Sequence, residues 1–409
     1  MMFEVSVAPR LCSEDVFSSF LRARAEEMGE PAWLLDVRRR AFANLAGPPR
    51  ISYRRGLGIV VTPKKDPHRA LEVVPNPSSA IRVEAGEGVL SFRGRSLQEV
   101  PSSVREEVMN ALNTRSDPFD LFHLAYASDV HVLVLPEGRR CGKPVSVSVR
   151  TGSDALFCTH LIVASGESTA NVQFTLEGKG YLSQEVIVLA KEQDCVGVAT
   201  LQRMGSGSYA RSKTLGVAQE KSRLAISEFV FGGGFVRSDC EVKLAGKGAQ
   251  AFLTTLFLGG GDERRDVGAR VMHEAPGTKA NIVARGVLSG RARGLSRGLI
   301  GIGEGATGAD GRQKQDILLL SDGAEAFAVP DLEIRNNEVA CSHATGIGQL
   351  DEEQLFYLRS RGLSRKEASK LLIKGYFKPV LDSFACCAQP ERVAEELDSR
   401  LEAVLEGGV

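Results

Sequence analysis

Several familiar signatures are missing from the 409-residue chain. It has no CxxC pair, so a zinc knuckle is not expected. It has no GxxxxGK[ST] loop, which excludes an ordinary P-loop ATPase. No stretch approaches the ~18 uninterrupted apolar residues of a membrane helix, and no membrane partner is expected. Neither sign of charge dominates: Lys+Arg and Asp+Glu both total 51. A chain without a basic field has nothing to gather nucleic acid. Aromatics are 6% of residues, with one tryptophan, so no large aromatic core is expected. The opening MMFEVSVAPRLCSEDVF carries acids early and lacks a signal-type apolar run. The eight cysteines (Cys12, Cys141, Cys158, Cys195, Cys240, Cys341, Cys386 and Cys387) therefore read as reduced thiols of a cytoplasmic protein. Most of them are expected to be small core residues, and the adjacent Cys386 and Cys387 structural.

Glycine, by contrast, is plentiful at 43 residues, and the length suits two or three folding units of about 100–200 residues. The first part reads as helical. Ser13 is placed to cap a helix with Phe17, Phe20, Leu21, Ala25 and Met28 on one stripe. A second helix starts near Pro31 and stops at Pro48 and Pro49. SSVREEVMNALN and DPFDLFHLAYA supply two more.

From about Asp129 the texture changes to short apolar runs punctuated by Gly, Ser, Asn and Asp. In NVQFTLEG, Val172, Phe174 and Leu176 alternate with Gln173, Thr175 and Glu177. Cys240, Val242 and Leu244 alternate with polar neighbours in CEVKLAG. Each is a period-two strand with one buried face. Thirteen such runs without helices between them exclude a βαβ sheet. A double-sheet sandwich and a parallel solenoid both fit the pattern, and the glycine groups Gly232–Gly234 and Gly259–Gly261 suit solenoid corners.

Helices return at the C-terminal end. Asp351 caps EEQLFYLRSR, with acids first and arginines last, as the helix dipole favours. Ser364 and Glu367 form a capping box, followed by Ala368, Leu371, Leu372, Gly375 and Tyr376 at helical spacing. A last helix after Pro390 carries Val393, Leu397, Leu401, Val404 and Leu405 on one stripe. The chain divides into a mostly helical region (1–127), a β core (128–337) and a C-terminal helical domain (338–409).

The run CSHATGIGQLDEEQLFYLRSRGLSRKEA resembles the C-terminal signature of the SufB/SufD family of iron–sulfur cluster assembly proteins. Supporting matches are PAWLLDVRRRAFANL, DPFDLFHLAYASD, MHEAPGTKANIVARGVL and QDILLLSDGAEAFAVPDLEI. The resemblance implies a mainly β fold, a right-handed parallel β-helix core flanked by N-terminal and C-terminal helical regions. It also separates the two paralogues. SufB-type proteins carry an essential cysteine where this chain has Gln315, and a glutamate where it has Ala344. The chain keeps Cys341, Ser342 and His343 of the signature, with the following Gly-Ala-Thr permuted to Ala344, Thr345 and Gly346. It is similar to SufD.

That likeness implies a non-enzymatic scaffold subunit of the SUF complex. It would pair with a SufB-like subunit through the β-helix, or with itself when SufB is absent, and would bind SufC, an ABC-type ATPase, through its C-terminal helices. No intrinsic cofactor is implied; a transient iron–sulfur cluster would form at the subunit interface. His343 is the candidate iron or cluster ligand there, with Cys341 beside it if the backbone is extended. Phe356, Tyr357, Arg359 and Arg361 are the candidate ATPase-docking residues, with Leu355 and Leu358 packing inward. On spacing alone, His343 could equally hydrogen-bond at a corner, and Phe356 and Tyr357 could be core. His123, His131, His160 and His273 read as structural. Two other roles stand as alternatives: a SufB-like cluster scaffold in its own right, or a carbohydrate-acting enzyme on a β-solenoid, which would need two carboxylates facing one groove.

Overall fold

A computed structural model describes residues 14–45, 81–84, 86, 88–115, 117–152, 155–383 and 390–406. The expected caps at Ser13, Pro48 and Pro49, and Cys12, Cys386 and Cys387, lie outside these. The N-terminal part holds α1 (Glu14–Glu27), α2 (Ala32–Ala43), β1 (Ile81–Glu84), β2 (Leu90–Arg93), α3 (Ser102–Asn113) and α4 (Pro118–Tyr126). Strands then follow one another: β3 (Asp129–Leu135), β4 (Val145–Thr151), β5 (Ala155–Ala164), β6 (Thr169–Gly178), β7 (Tyr181–Ala190), β8 (Cys195–Gln202), β9 (Tyr209–Ala218) and β10 (Arg223–Val230). The second half has β11 (Phe235–Leu244), β12 (Gln250–Gly259), β13 (Arg264–His273), β14 (Lys279–Leu288), β15 (Arg293–Ile302), β16 (Asp310–Leu319), β17 (Glu325–Ile334) and β18 (Ala340–Gln349). Helices α5 (Glu352–Ser360), α6 (Arg365–Ser383) and α7 (Pro390–Glu406) finish the chain.

Odd and even strands from β3 onward build two parallel sheets, one strand of each per turn, in a solenoid of about eight turns. Phe235 lies beside Arg264, and Arg264 beside Arg293, a step of 29 residues per turn. One corner is built alike in successive turns. Glu167, Gln193, Lys221, Gly248, Gly277 and Gly308 all have φ between 52° and 73°. Each N–H there donates to a carbonyl of the next turn, as Gly277 N does to Thr307 O at 2.8 Å. Glycine takes this conformation freely, whereas an L side chain costs about 1–2 kcal/mol. Nothing lies within 4 Å of a Cβ built on Gly277. Gly277→Ala is therefore expected to cost about 1–2 kcal/mol from backbone strain alone, measurable by urea denaturation.

Among the described residues three large apolar cores, and a small fourth around Phe235 and Leu295, hold the structure. The bore between the sheets is filled by the inward rows of both, for example Val172, Phe174, Val198, Ile226, Val242 and Leu253. Helices α1–α4 cover the outer face of the odd sheet, where Phe17, Phe122 and Tyr126 join a core with Phe157, Leu161 and Ile187. Helices α6 and α7 cover the outer face of the even sheet, with Ile373, Phe377, Leu397 and Leu401 against Phe229, Phe231, Leu256 and Leu258. The expected stripe of α7 is the buried one. The stripe of α6 is turned by about a residue: Ile373, Phe377 and Val380 are buried, whereas Leu371 is 51% exposed. Contact with the sheet selects that face, because Ile373 and Phe377 meet the apolar outer row that Leu371 would miss.

Inside the bore a polar patch interrupts the apolar filling. Glu228 occupies an inward position of β10 between Ile226 and Val230 and is buried. Burial pushes its carboxyl up to about 7, against the opposing pull of hydrogen bonds from Thr214 and Ser238. A carboxyl with a raised folded pKa keeps its proton longer in the folded chain, so ionisation costs stability. The cost grows as pH rises from about 4.5 through about 7 and then stays constant. Between pH 5 and pH 8 this amounts to about 2–3 kcal/mol. Glu228→Gln is expected to remove that part of the slope in urea titrations at the two pH values.

Candidate functional site

Strands β17 and β18 end their sheets. Among the described residues each is paired on one side only, β17 with β15 and β18 with β16, and their other edges carry backbone groups without a strand partner there. Ala340–Gln349, placed with the C-terminal helices on the sequence, is thus the last strand of the solenoid, and helices resume at Glu352. The reason lies in β16, whose ten residues pair in register with those of β18.

That register decides which way the signature faces. Gly311, Gln313, Gln315 and Ile317 are the buried, inward positions of β16. Their partners on β18 are Cys341, His343, Thr345 and Ile347. The backbone is extended, so Cys341 and His343 share the inward row. Among the described residues no further turn covers that row: His343 is exposed and Cys341 half-buried. Partial burial raises the Cys341 thiol pKa, which disfavours a free thiolate. Among the described residues, no three His, Cys, Asp or Glu side chains converge as a metal site. Ile347 and Ile334 are 47% and 45% exposed on this end.

Gln315 sits one turn in. Its amide nitrogen donates to Ser296 Oγ (2.9 Å) and Ser296 O (3.1 Å), and its oxygen accepts from Gly298 N (3.1 Å). Gln313 Nε2 donates to Asp331 O at 3.0 Å. Both amides bridge the two sheets, and a Cβ on Gly298 would meet Gln313 and Gln315 at 2.2 and 2.3 Å. Gln315 is thereby committed to structure, with no free ligand chemistry.

A family model described as the SUF system FeS cluster assembly SufBD core domain matches residues 147–376, from β4 to α6 and including the whole open end. The chain belongs to the SufBD family. Among its curated relatives, the iron–sulfur cluster assembly protein SufB of Bacillus subtilis is 23% identical over 320 residues, covering 76% of this chain and 68% of that protein. An iron–sulfur cluster assembly SufBD family protein of Synechocystis is 26% identical over 331 residues, covering 76% and 67%. A SufBD family protein of Mycobacterium bovis is 33% identical over 168 residues, which is 41% of this chain. The match spans only 19% of that mycobacterial protein.

The second candidate surface of this SufBD chain lies on α5. Asp351 caps the helix, accepting from Glu353 N (2.9 Å) and Gln354 N (3.2 Å). Leu355 is buried at 1%, while Phe356 and Tyr357 are 73% and 56% exposed. Arg359 and Arg361 are exposed as well, with Arg361 Cζ 5.2 Å from the Tyr357 ring centroid. With the outward Leu371 on α6, these side chains give the C-terminal helices an apolar and basic outer surface.

The remaining described histidines are internal. His123 joins Ser183 Oγ (2.8 Å) to Thr159 Oγ1 (3.1 Å). His273 pairs with Thr278 Oγ1 at 2.8 Å, and burial lowers its pKa to about 4. His131 and His160 are buried neighbours on β3 and β5. Among the described cysteines, Cys158 and Cys240 are buried core residues, Cys141 and Cys341 are half-buried and Cys195 is exposed. Sequence reasoning missed Glu228, although the alternation Leu224, Ile226, Glu228, Val230 in RLAISEFV puts an acid on an apolar face.

Proposed function

We propose that this chain is a SufD-like, non-enzymatic scaffold subunit of a cytoplasmic SUF complex. It pairs with a SufB-like subunit through the open end of the β-helix and binds a SufC-type ATPase through α5 and α6. The observation that carries this reading is the pair of bare edges at β17 and β18, with His343 in the uncovered inward row between them. A parallel solenoid whose last turn is exposed, apolar in part and unpaired is suited to edge-to-edge extension by a second chain. A second copy of this chain is the other occupant when SufB is absent.

The nascent cluster is cargo. His343 and Cys341 offer two donors from this side, so the remaining ligands come from the partner. Gln315 and Ala344 stand where SufB-type proteins have cysteine and glutamate, which favours the SufD-like role over a self-sufficient scaffold. The solvent-facing Phe356, Tyr357, Arg359 and Arg361 suit a partner helix or loop with apolar and acidic groups. ATP turnover is assigned to that partner, since this chain has no phosphate-binding loop.

Co-expression with SufB-type and SufC-type subunits tests the reading. A stable complex of all three is expected, and failure of this chain to co-purify with either would remove it. Ile347→Glu places a charge in the uncovered row and is expected to weaken pairing about 10- to 100-fold, or about 1–3 kcal/mol. Fluorescence titration or sedimentation of the SufB-type pair would read that loss.

A further inference from the structure

The patch around Glu228 has the composition of a binding site. Two register rows meet in the bore. On the even sheet, Thr200, Glu228 and Thr255 lie side by side on β8, β10 and β12. On the odd sheet, Gln184, Ser212 and Ser238 lie side by side on β7, β9 and β11. Glu228 links the rows, its two carboxyl oxygens accepting from Thr214 Oγ1 at 3.0 Å and Ser238 Oγ at 3.2 Å.

Three neighbours are left without partners. Thr200 Oγ1, Ser212 Oγ and both ends of the Gln184 amide are buried, and among the described residues none has a hydrogen-bond partner within 3.5 Å. The Thr200 and Ser212 hydroxyls still lie near enough to the Glu228 carboxyl to act on it as weak hydrogen-bond donors, which lower its pKa. Buried polar groups are satisfied in native proteins, by each other, by water or by an ion. Glu228 also has no cationic side chain in an ion pair among the described residues.

We propose that the bore binds one alkali-metal cation at Glu228, held by the carboxylate and by the hydroxyls of Thr200, Ser212, Thr214 and Ser238. The donor set is all oxygen, which selects a hard cation over a transition metal. It contains a single negative charge, which a monovalent ion neutralises and a divalent ion would leave as a net buried positive charge. From Glu228 the same register row runs through Thr255, Ala284 and Gln315 to Thr345 at the open end. The site does not depend on the SufD-like reading, since it lies wholly within this chain.

The test uses the purified full chain exchanged into choline chloride, sodium chloride or potassium chloride at equal ionic strength and pH 8. Thermal midpoints are expected to rise by several degrees in one alkali salt over choline. Glu228→Gln is expected to abolish the shift. Thr200→Val, of nearly the same shape, is expected to raise the half-effective salt concentration about tenfold, and carries the test if the first variant does not fold. Atomic emission after rapid desalting is expected to find about one cation per chain. Equal midpoints in all three salts would overturn the proposal and leave water as the occupant. Stabilisation by zinc or calcium but not by alkali ions, lost in Glu228→Gln, would overturn it too.

Discussion

Replacing His343 by alanine is expected to abolish cluster formation on a complex with SufB-type and SufC-type partners, while the complex still assembles. Among the described residues none hydrogen-bonds to this imidazole, and the ring lies exposed in the last inward row. Its removal therefore creates no cavity and strands no buried partner, so the folded chain should change by less than about 0.5 kcal/mol. An imidazole that supplies one of few ligands to a cluster is not replaced by a methyl group, and cluster yield should drop by at least about tenfold. Co-purification and cluster absorbance are scored separately in anaerobic preparations. Undiminished cluster yield would dismiss the ligand role. Loss of both readouts would make His343 a residue of the seam itself.

The largest stability effect is expected from Glu30→Ala. Glu30 is buried between two buried arginines. Its Oε1 accepts from Arg24 Nη2 (2.6 Å) and Arg38 Nη2 (2.8 Å), and its Oε2 from Arg38 Nε (2.9 Å). Arg38 Nη1 also donates to Leu124 O and Ala125 O, tying α2 to α4. Burial by itself would push the Glu30 carboxyl up, but the two guanidinium groups outweigh it and hold its pKa below the usual value. A lowered folded pKa contributes stability above the unfolded value that is lost as pH falls through the folded one. Truncation leaves two uncompensated guanidinium groups indoors, a loss of about 3–5 kcal/mol. Urea unfolding at pH 7 should show it, and a change below about 1 kcal/mol would mean that water reaches the pair. Glu30→Gln, which keeps the shape and an acceptor oxygen, should lose less.

Much of the architecture could be read from local pattern. Alternation marked the strands, and Asp351, Ser364 and Glu367 cap the helices they were expected to cap. The repeat of about 29 residues was legible in hindsight through Gly248, Gly277 and Gly308, although three earlier turns hide it by using Glu167, Gln193 and Lys221 at the same corner. For the candidate site, the CSH motif drew attention to Ala340–Gln349, but the place of that strand at an edge was not readable. Extended backbone looks the same in sequence whether or not another strand lies beside it.

Strand type, helix caps, the buried stripe of α7 and the family signature followed from the sequence by itself, because each is set by residues within a few positions of one another. Tertiary structure decided the rest. It placed Cys341 and His343 beside Gly311 and Gln313 in an uncovered row, brought Glu228 up to Ser238 and Thr214, and turned Ile373 rather than Leu371 toward the sheet. The physical reason is that lateral pairing joins residues about a full turn apart, and a helix settles on whichever face meets the sheet's apolar outer row.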